Sequence, residues 1–421
     1  MAKMKNNSSP LKNQPSPTFI DLFAGCGGLS LGLLQAGWTG LFAVEHDTGA
    51  FDTLHHNLVK DTAGKKFKWP KWLPQTPHSI NDVLDTYQEN LLNLAGAVDM
   101  IVGGPPCQGF SSAGRRDPLD PRNQLVESYL KMVSIIKPKI VLIENVKGIT
   151  LDFDDKRGNS GKRNYATWIS ERLSEEYVVS SKTIDTSLYG VPQRRQRFFI
   201  IAVRKNIDCA TKPDPFDELE RDRFGFLLKK GGIQVPVSSK TAISDLEILR
   251  NGTIPSIDTP GFSEISYTGP MTIYQRILHG TSNNSVRDTR LARHKPHISL
   301  RFKKIIENCH ENGRLNISLS AEFKASLGLR KCAIRVLDPD SPAPTITSMP
   351  DDLLHYSEPR TLTVRENARI QSFPDWFEFK GKYTSGGDRR KREVPRFTQV
   401  ANAVPPFMAE ALGLMLAKRL S

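Results

Sequence analysis

The chain has 421 residues, enough for one large core and a second, smaller unit. Its 58 Lys and Arg outnumber 45 Asp and Glu by 13, which points to a polyanionic partner, nucleic acid first. Five cysteines, at 26, 107, 209, 309 and 332, are odd in number, far apart and without a CxxC pair, so neither a disulfide framework nor a zinc site is indicated and a reducing cytosol fits.

Residues 1–17 are polar, without the apolar core of a signal peptide, and a disordered tail is expected. No apolar run approaches the ~20 residues of a membrane span, so a soluble, cytoplasmic protein is expected. From Thr18 the run TFIDLF predicts a strand, Ala24 to Gly28 a glycine turn, and LSLGLLQAG a helix. The next strand, LFAVEHD, ends at Glu45, about 20 residues after the glycines, where dinucleotide-type folds place a carboxylate on ribose hydroxyls. The glycine spacing departs from GxGxxG, which favours S-adenosyl-methionine, a cofactor without a pyrophosphate. Residues 59–78, rich in Lys and Pro with Trp69 and Trp72, read as a loop.

Val98 to Val102 predicts a short buried strand. Gly103 and Gly104 end it, and Pro105-Pro106 stiffen a turn that presents Cys107. A lone cysteine usually serves as a small hydrophobe, so the question is what surrounds it. Ser111 to Asn123 is polar, Arg-rich and lid-like. Gln124 to Ile136 has helical periodicity, and Ile140 to Ile143 is a buried strand with Glu144 at its end. Cys107 and Glu144, each just past a strand, should then emerge on one sheet edge, where ligands gather in open α/β sheets. QRRQRFFIIAV leads into another buried strand, Phe198 to Val203. Its Arg195 and Arg197, two apart, would face the same way in an extended chain.

Beyond residue 205 the alternation fades, and residues 206–340 read as a separate, polar module. It holds a basic run, Val286 to Lys304, with Arg287, Arg290, Arg293, Lys295, Arg301, Lys303 and Lys304 against Asp288 alone. Arg389 to Arg392 with Arg396 form a second basic cluster. Regular structure returns with a helix at Val364 to Gln371 and an amphipathic helix at Phe407 to Leu420. The apolar face of the latter needs the sheet as partner, which makes the middle module an insertion.

DLFAGCGG, the Glu45 strand, GGPPCQGFS, ENVKG, QRRQRFF, RTLTVRENARIQSFPD and QVANAVPP occur in an order that resembles the motif set of the cytosine carbon-5 DNA methyltransferases. The resemblance covers about residues 18–205 and 355–417. It implies an α/β fold: a Rossmann-like, S-adenosyl-methionine-dependent methyltransferase sheet with a smaller inserted target recognition domain at 206–340, the chain returning to the catalytic domain at 341–421. The resemblance implies Cys107 as nucleophile on cytosine carbon 6, Glu144 as proton donor at ring nitrogen 3, and Arg197 on the carbonyl oxygen with Arg195 in support. Phe23, Gly25, Gly27, Glu45, His46, Ile80, Pro106, Leu125, Asn402 and Val404 match cofactor-contacting positions. Ser111, Arg290, Arg293 and Lys295 are expected to meet double-stranded DNA around an extruded base.

Two positions depart from the family pattern. Ser79 stands where many members have an acid for the adenine amino group, with Asp82 nearby as a substitute. Ala401 stands where glycine is frequent. A tRNA methyltransferase is disfavoured by the long middle module and the missing Cys-Phe-Thr signature, and a nicotinamide oxidoreductase would leave PPCQGFS and ENV idle. The expected role is that of a monomeric bacterial modification enzyme, functionally paired with a restriction endonuclease.

Overall fold

Six strands form the central sheet: β1 (Thr18–Leu22), β2 (Thr39–Val44), β3 (Met100–Gly103), β4 (Ile140–Val146), β5 (Tyr177–Asp185) and β6 (Gln196–Arg204). Their spatial order is β2-β1-β3-β4-β6-β5. The first four run parallel, while β6 is antiparallel to both β4 and β5, so the sheet is mixed. The computed structural model describes residues 15–60, 67–106, 124–151, 153–154, 162–281, 286–329, 333–384 and 393–420. Cys107, Ser111 and the rest of the lid-like stretch to Asn123, and Arg389 to Arg392, lie outside the described residues.

The central strands are buried on both faces, and their alternation assigns each residue to one of two cores. Phe19, Met100, Val102, Ile140, Leu142, Phe199 and Ile201 face one hydrophobic cluster. Ile20, Ile101, Val141, Ile143, Phe198 and Ile200 face the other. The helices that matter below are α1 (Gly28–Gln35), α2 (Thr48–Leu54), α3 (Ile80–Thr86), α4 (Gln124–Ile136), α5 (Pro215–Lys229), α6 (Pro296–Glu311), α7 (Val364–Ile370), α8 (Arg396–Asn402) and α9 (Pro406–Leu420). Leu29 and Leu33 of α1 share the first core with Met408, Leu412 and Met415 of α9. Val83 of α3 and Val126, Tyr129 and Val133 of α4 fill the second.

The α1–α9 contact is close because both helices carry glycine there. A Cβ on Gly32 would lie 2.4 Å from Ala409 Cβ and 2.4 Å from the Pro406 carbonyl oxygen, and one on Gly413 would lie 2.8 Å from Ala36 Cβ. Trp38 Nε1 donates to the Gly413 carbonyl at 2.9 Å and closes the end of the pair. The expectation that no stretch has the apolar length of a membrane span is corrected here. Arg396–Leu420 has it by length and composition, and 78% of the relevant window is buried within the protein.

The chain 206–340 contributes to two cores. Phe216, Leu219, Phe226 and Leu227 of α5, with Ala242, Ile243, Tyr274 and Leu278, join the cluster that holds α1 and α9. Phe302, Ile305, Ile306 and Cys309 of α6 form a smaller one with Leu319, Ile334, Val336 and Leu354. Gln193 and Arg194 pair in parallel with Ala343 and Pro344, so the chain entering this long excursion is hydrogen-bonded to the chain leaving it. Arg369 of α7, fully buried, reaches Asp245 at 3.1 Å and Asp375 at 2.5 Å, a buried ion cluster that ties the excursion to the returning chain.

The Lys- and Pro-rich stretch at 59–78 has a packing role that its composition hid. Phe67 bridges to Gly40 on the outer strand β2, Lys68 N–H donates to the Gly40 carbonyl at 2.7 Å, and the Phe67 ring meets Phe19 and Trp69. The segment thus covers a sheet edge that would otherwise be open.

Candidate active site

Parallel pairing sets β1, β3 and β4 in register, with Leu22 opposite Gly103 and Gly103 opposite Ile143, so their carboxyl ends open on one edge. The turn after β1 is strongly bent: Phe23, Gly25 and Gly27 have φ of 58°, 55° and 91°. Glycine takes such angles without strain, and Phe23 does so at a cost. Nothing lies within 4 Å of the place a Gly25 side chain would occupy, so the turn leaves open space above its backbone.

Glu45, at the end of β2, stitches the two turns together. Its Oε2 accepts from the Gly25 N–H at 2.9 Å and its Oε1 from the Asp47 N–H at 2.8 Å. His46 is exposed, with Nδ1 3.1 Å from Glu45 Oε1, and this hydrogen bond raises the imidazole pKa. Beneath the turn, fully buried Asp21 accepts from Ser30 Oγ at 2.5 Å, and its other oxygen has no hydrogen-bond partner. Burial pushes the Asp21 carboxyl up to about 7.

Glu144 lies inside β4, opposite Phe199, rather than past the end of the strand as its sequence suggested. Its carboxylate, 9% exposed, meets Arg197 with Nε to Oε1 at 2.9 Å. The other oxygen lies over Gly104, where a Cβ would come within 3.2 Å. The next residue fixes the turn that carries Pro106: Asn145 Nδ2 donates to the Pro105 carbonyl at 3.0 Å. Gly104 and Asn145 were not among the residues singled out by sequence, although both stand in the GGPP and ENV strings that drew attention.

Arg195 does not share the face of Arg197 toward Glu144. Buried at 2% exposure, it donates through Nη2 to the carbonyls of Ala401 at 2.8 Å and Ala403 at 3.2 Å. Its Nε and Nη1 have no hydrogen-bond partner, and burial pulls its pKa well below the arginine range. Gln193 Nε2 donates to Gln371 Oε1 at 2.8 Å, and Gln371 Nε2 donates to the Val400 carbonyl at 2.8 Å. Two strings far apart in sequence, QRR and VANAV, are therefore clasped by side-chain-to-backbone bonds. Val404 arrives beside the glycine turn, its carbonyl 2.5 Å from where a Gly28 side chain would begin.

The site joins a bent glycine turn, held by the Glu45 carboxylate, to a carboxylate–guanidinium pair beside a double-proline turn. The family described as C-5 cytosine-specific DNA methylase matches residues 17–418. The chain belongs to that family.

Among related DNA methylases, the type II methyltransferase M.DdeI of Desulfomicrobium norvegicum is 30% identical over 93% of this chain and 86% of its own. M.XorII of Xanthomonas oryzae pv. oryzae is 30% identical over 96% and 85%. The crystal structure of a prophage-encoded E. coli protein assigned to DNA modification methyltransferases covers 96% of this chain and 99% of its own at TM-score 0.63 and 24% identity, a likeness of fold. The chain is a cytosine-5 DNA methyltransferase with an α/β fold around a mixed sheet.

The structure places the other positions drawn from the methylase motifs as follows. Phe23 and Leu125 are half-buried and packed on the second core, Ile80 and Val404 are buried, Pro106 is half-buried, and Asn402 is exposed. Ser79 caps α3: its side chain accepts from the Asp82 N–H while Asp82 accepts from the Ser79 N–H, at 3.1 and 3.2 Å. Asp82, the candidate substitute for the missing acid, is thus held in a helix cap. Ala401, where glycine is frequent, puts its methyl into the main core and its carbonyl on Arg195.

The three basic candidates differ in kind. Lys295 is exposed at the start of α6. Arg293 lies over the Phe262 ring at 4.4 Å from its centroid. Arg290 is sandwiched between Phe262 and Tyr383, at 4.2 and 3.7 Å, and burial lowers its pKa. Both arginines stack, Arg290 half-buried between two rings and Arg293 exposed over one.

Proposed function

We propose that this methylase modifies a cytosine within a specific duplex sequence by covalent catalysis through Cys107, and that it protects DNA from a companion restriction endonuclease in a bacterial cytosol. The observation that carries the reading is the Glu144–Arg197 pair at 2.9 Å on the sheet edge, next to the turn that Asn145 fixes and that leads into Cys107. Type II relatives at 30% identity support the protective role.

Cytosine carbon 5 is a weak nucleophile. Addition of the Cys107 thiolate to carbon 6 forms a sulfur–carbon bond and moves the electron pair of the 5,6 double bond toward carbon 5. Glu144, placing a proton at ring nitrogen 3, offsets the charge, while Arg197 holds both the Glu144 carboxyl and the carbonyl oxygen of the base. S-adenosyl-methionine would supply an electrophilic methyl group for carbon 5, the sulfur keeping the electron pair of the broken sulfur–methyl bond as a neutral thioether. Loss of the carbon-5 proton to a base then returns the electron pair to the ring and releases Cys107 as thiolate.

The residues present fit that cofactor: the Gly25 backbone is open, Glu45 keeps acceptor capacity for ribose hydroxyls beyond its two backbone bonds, and Val404 is buried beside the glycine turn. Within a duplex, carbon 6 is stacked out of reach, so the target base leaves the helix, at a cost of a few kcal/mol offset by phosphate and pocket contacts. Residues 18–205 and 341–421 carry catalysis and 206–340 carry recognition, in a single chain that works as a monomer.

Purified protein with labelled S-adenosyl-methionine should methylate duplex DNA, Cys107→Ser should abolish this, and DNA bearing 5-fluorocytosine at the target should trap a covalent adduct. Transfer to tRNA alone, activity surviving Cys107→Ser, or an active enzyme without an adduct would overturn the covalent DNA reading.

A further inference from the structure

We propose that the β-ribbon Thr253–Pro255/Ser263–Ile265 enters the major groove of the target duplex and that Ile257, on its turn, is a specificity-determining residue that contacts the methyl group of a thymine. This rests on the duplex-methylation reading above.

The two strands pair antiparallel, Thr253 with Ile265 and Pro255 with Ser263. One side of the ribbon is backed: Leu291 N–H donates to the Ser263 carbonyl at 2.8 Å, and Glu264 bridges Arg290. On the other side all three residues of the first strand are exposed. A two-stranded ribbon matches the ~12 Å width of the major groove.

The turn is rigid for its length. Asp258 accepts from Ser256 Oγ at 3.1 Å, Tyr383 Oη at 2.9 Å and Arg396 Nη1 at 2.9 Å, while Glu264 Oε2 accepts from the Ile257 N–H at 3.2 Å. Phe262 closes the turn under the guanidiniums of Arg290 and Arg293. The side chains of Ser256, Asp258 and Glu264 are spent on holding shape, yet Ile257 stands 69% exposed at the tip.

Charge and placement favour DNA as the occupant. Arg287, Arg293 and Lys295, all exposed, flank the ribbon and suit phosphates. Arg396 opens α8, whose seven residues, about 10 Å, lead to Asn402 and the cofactor turn. Tyr383 lies two residues from Gly381, where a Cβ would come within 3.6 Å of Gly49 Cα at the start of α2, beside the carboxyl edge of the sheet. An aliphatic side chain carries no hydrogen-bond code, and the apolar feature of a major-groove edge is the thymine methyl.

The test uses full-length protein and a pool of duplexes with randomised sequence, methylated positions being read by sequencing. Wild type should show a preference for an A·T pair at one position of its target. Replacing that thymine by uracil should cost about fourfold in kcat/KM, the worth of one buried methyl group. Ile257→Ala should lose the thymine–uracil distinction while keeping the salt dependence of binding. Uracil tolerated by wild type, or an Ile257→Ala variant with unchanged preference, would overturn the assignment alone. A wild type that methylates no duplex would overturn the methylation reading and the assignment with it. The uracil comparison needs no variant and so stands even where Ile257→Ala fails to fold.

Discussion

Gly32→Ala puts a methyl group into the closest helix contact of the protein's main core. The new Cβ would meet Ala409 Cβ and the Pro406 carbonyl oxygen at 2.4 Å and the Glu410 nitrogen at 2.7 Å. All three belong to the backbone or stem of α9, and none can swing aside as a flexible side chain would. To restore ordinary contact distances α1 and α9 must part by about 1 Å, which forfeits a quarter to a half of the attraction across the facing side chains. Overpacking of this kind costs ~1–3 kcal/mol, and rigid partners place it at the upper end. The helix preference of alanine returns about 1 kcal/mol. A net loss of about 2 kcal/mol follows, or ~2 °C in melting temperature for a chain of this length.

Gly225→Ala is the matched control, since that glycine lies on the exposed face of α5 with nothing within 4 Å and no positive φ. It should gain up to ~1 kcal/mol by the same helix preference. Calorimetric melting of the two variants against wild type separates packing from propensity. A Gly32→Ala protein that melts at or above wild type, with Gly225→Ala below it, would refute the packing argument.

Two further outcomes follow from the site. Burial holds the Asp21 carboxyl near 7, so between about pH 4 and 7 the folded protein keeps a proton that the unfolded chain releases. The stability this contributes is full below the unfolded pKa and is lost as the pH rises through 7. Asp21→Asn should therefore gain on wild type by about 4 kcal/mol across that window in urea titrations, whereas a difference independent of pH would exclude Asp21 as the titrating group. Arg195→Met leaves the Ala401 carbonyl without its side-chain donor and the Ala403 carbonyl with Gln371 Nε2 alone, and should weaken S-adenosyl-methionine binding about tenfold by calorimetric titration, with DNA affinity unchanged. Unaltered cofactor affinity would show that Arg195 does not position the turn holding Asn402.

What was legible in the sequence is what local pattern controls. The unbroken apolar run at Ile140 to Ile143 identified a central strand, and the periodicity of Gln124 to Ile136 matches α4 from end to end. Glu144 was legible as a residue but not as a member of the strand, because pairing with Phe199 extends β4 beyond its apolar run. Arg195 shows the limit most clearly. Two-residue spacing assigned it the same face as Arg197, whereas its partners are carbonyls some 200 residues away, which no local pattern carries. Phe67 and Trp69 were hidden in the same way, since Lys and Pro dominate the composition around them while the Phe67 ring goes to the edge of β2 and the Trp69 ring packs on Phe67 and Phe51.

The bridge between Gln193–Arg194 and Ala343–Pro344 closes the neck of a long excursion on the side of the catalytic sheet. For a loop whose ends are already fixed, each doubling of length costs only about 0.6 kcal/mol of closure entropy. β6, with Arg197, lies inside that neck and α5 packs into the main core, so it is the exposed parts of the chain between α5 and Ala343 that can lengthen or shorten at little cost to the sheet. Such a closed neck confines changes of loop length to one contiguous stretch of chain, with the strand that bears Glu144 outside it.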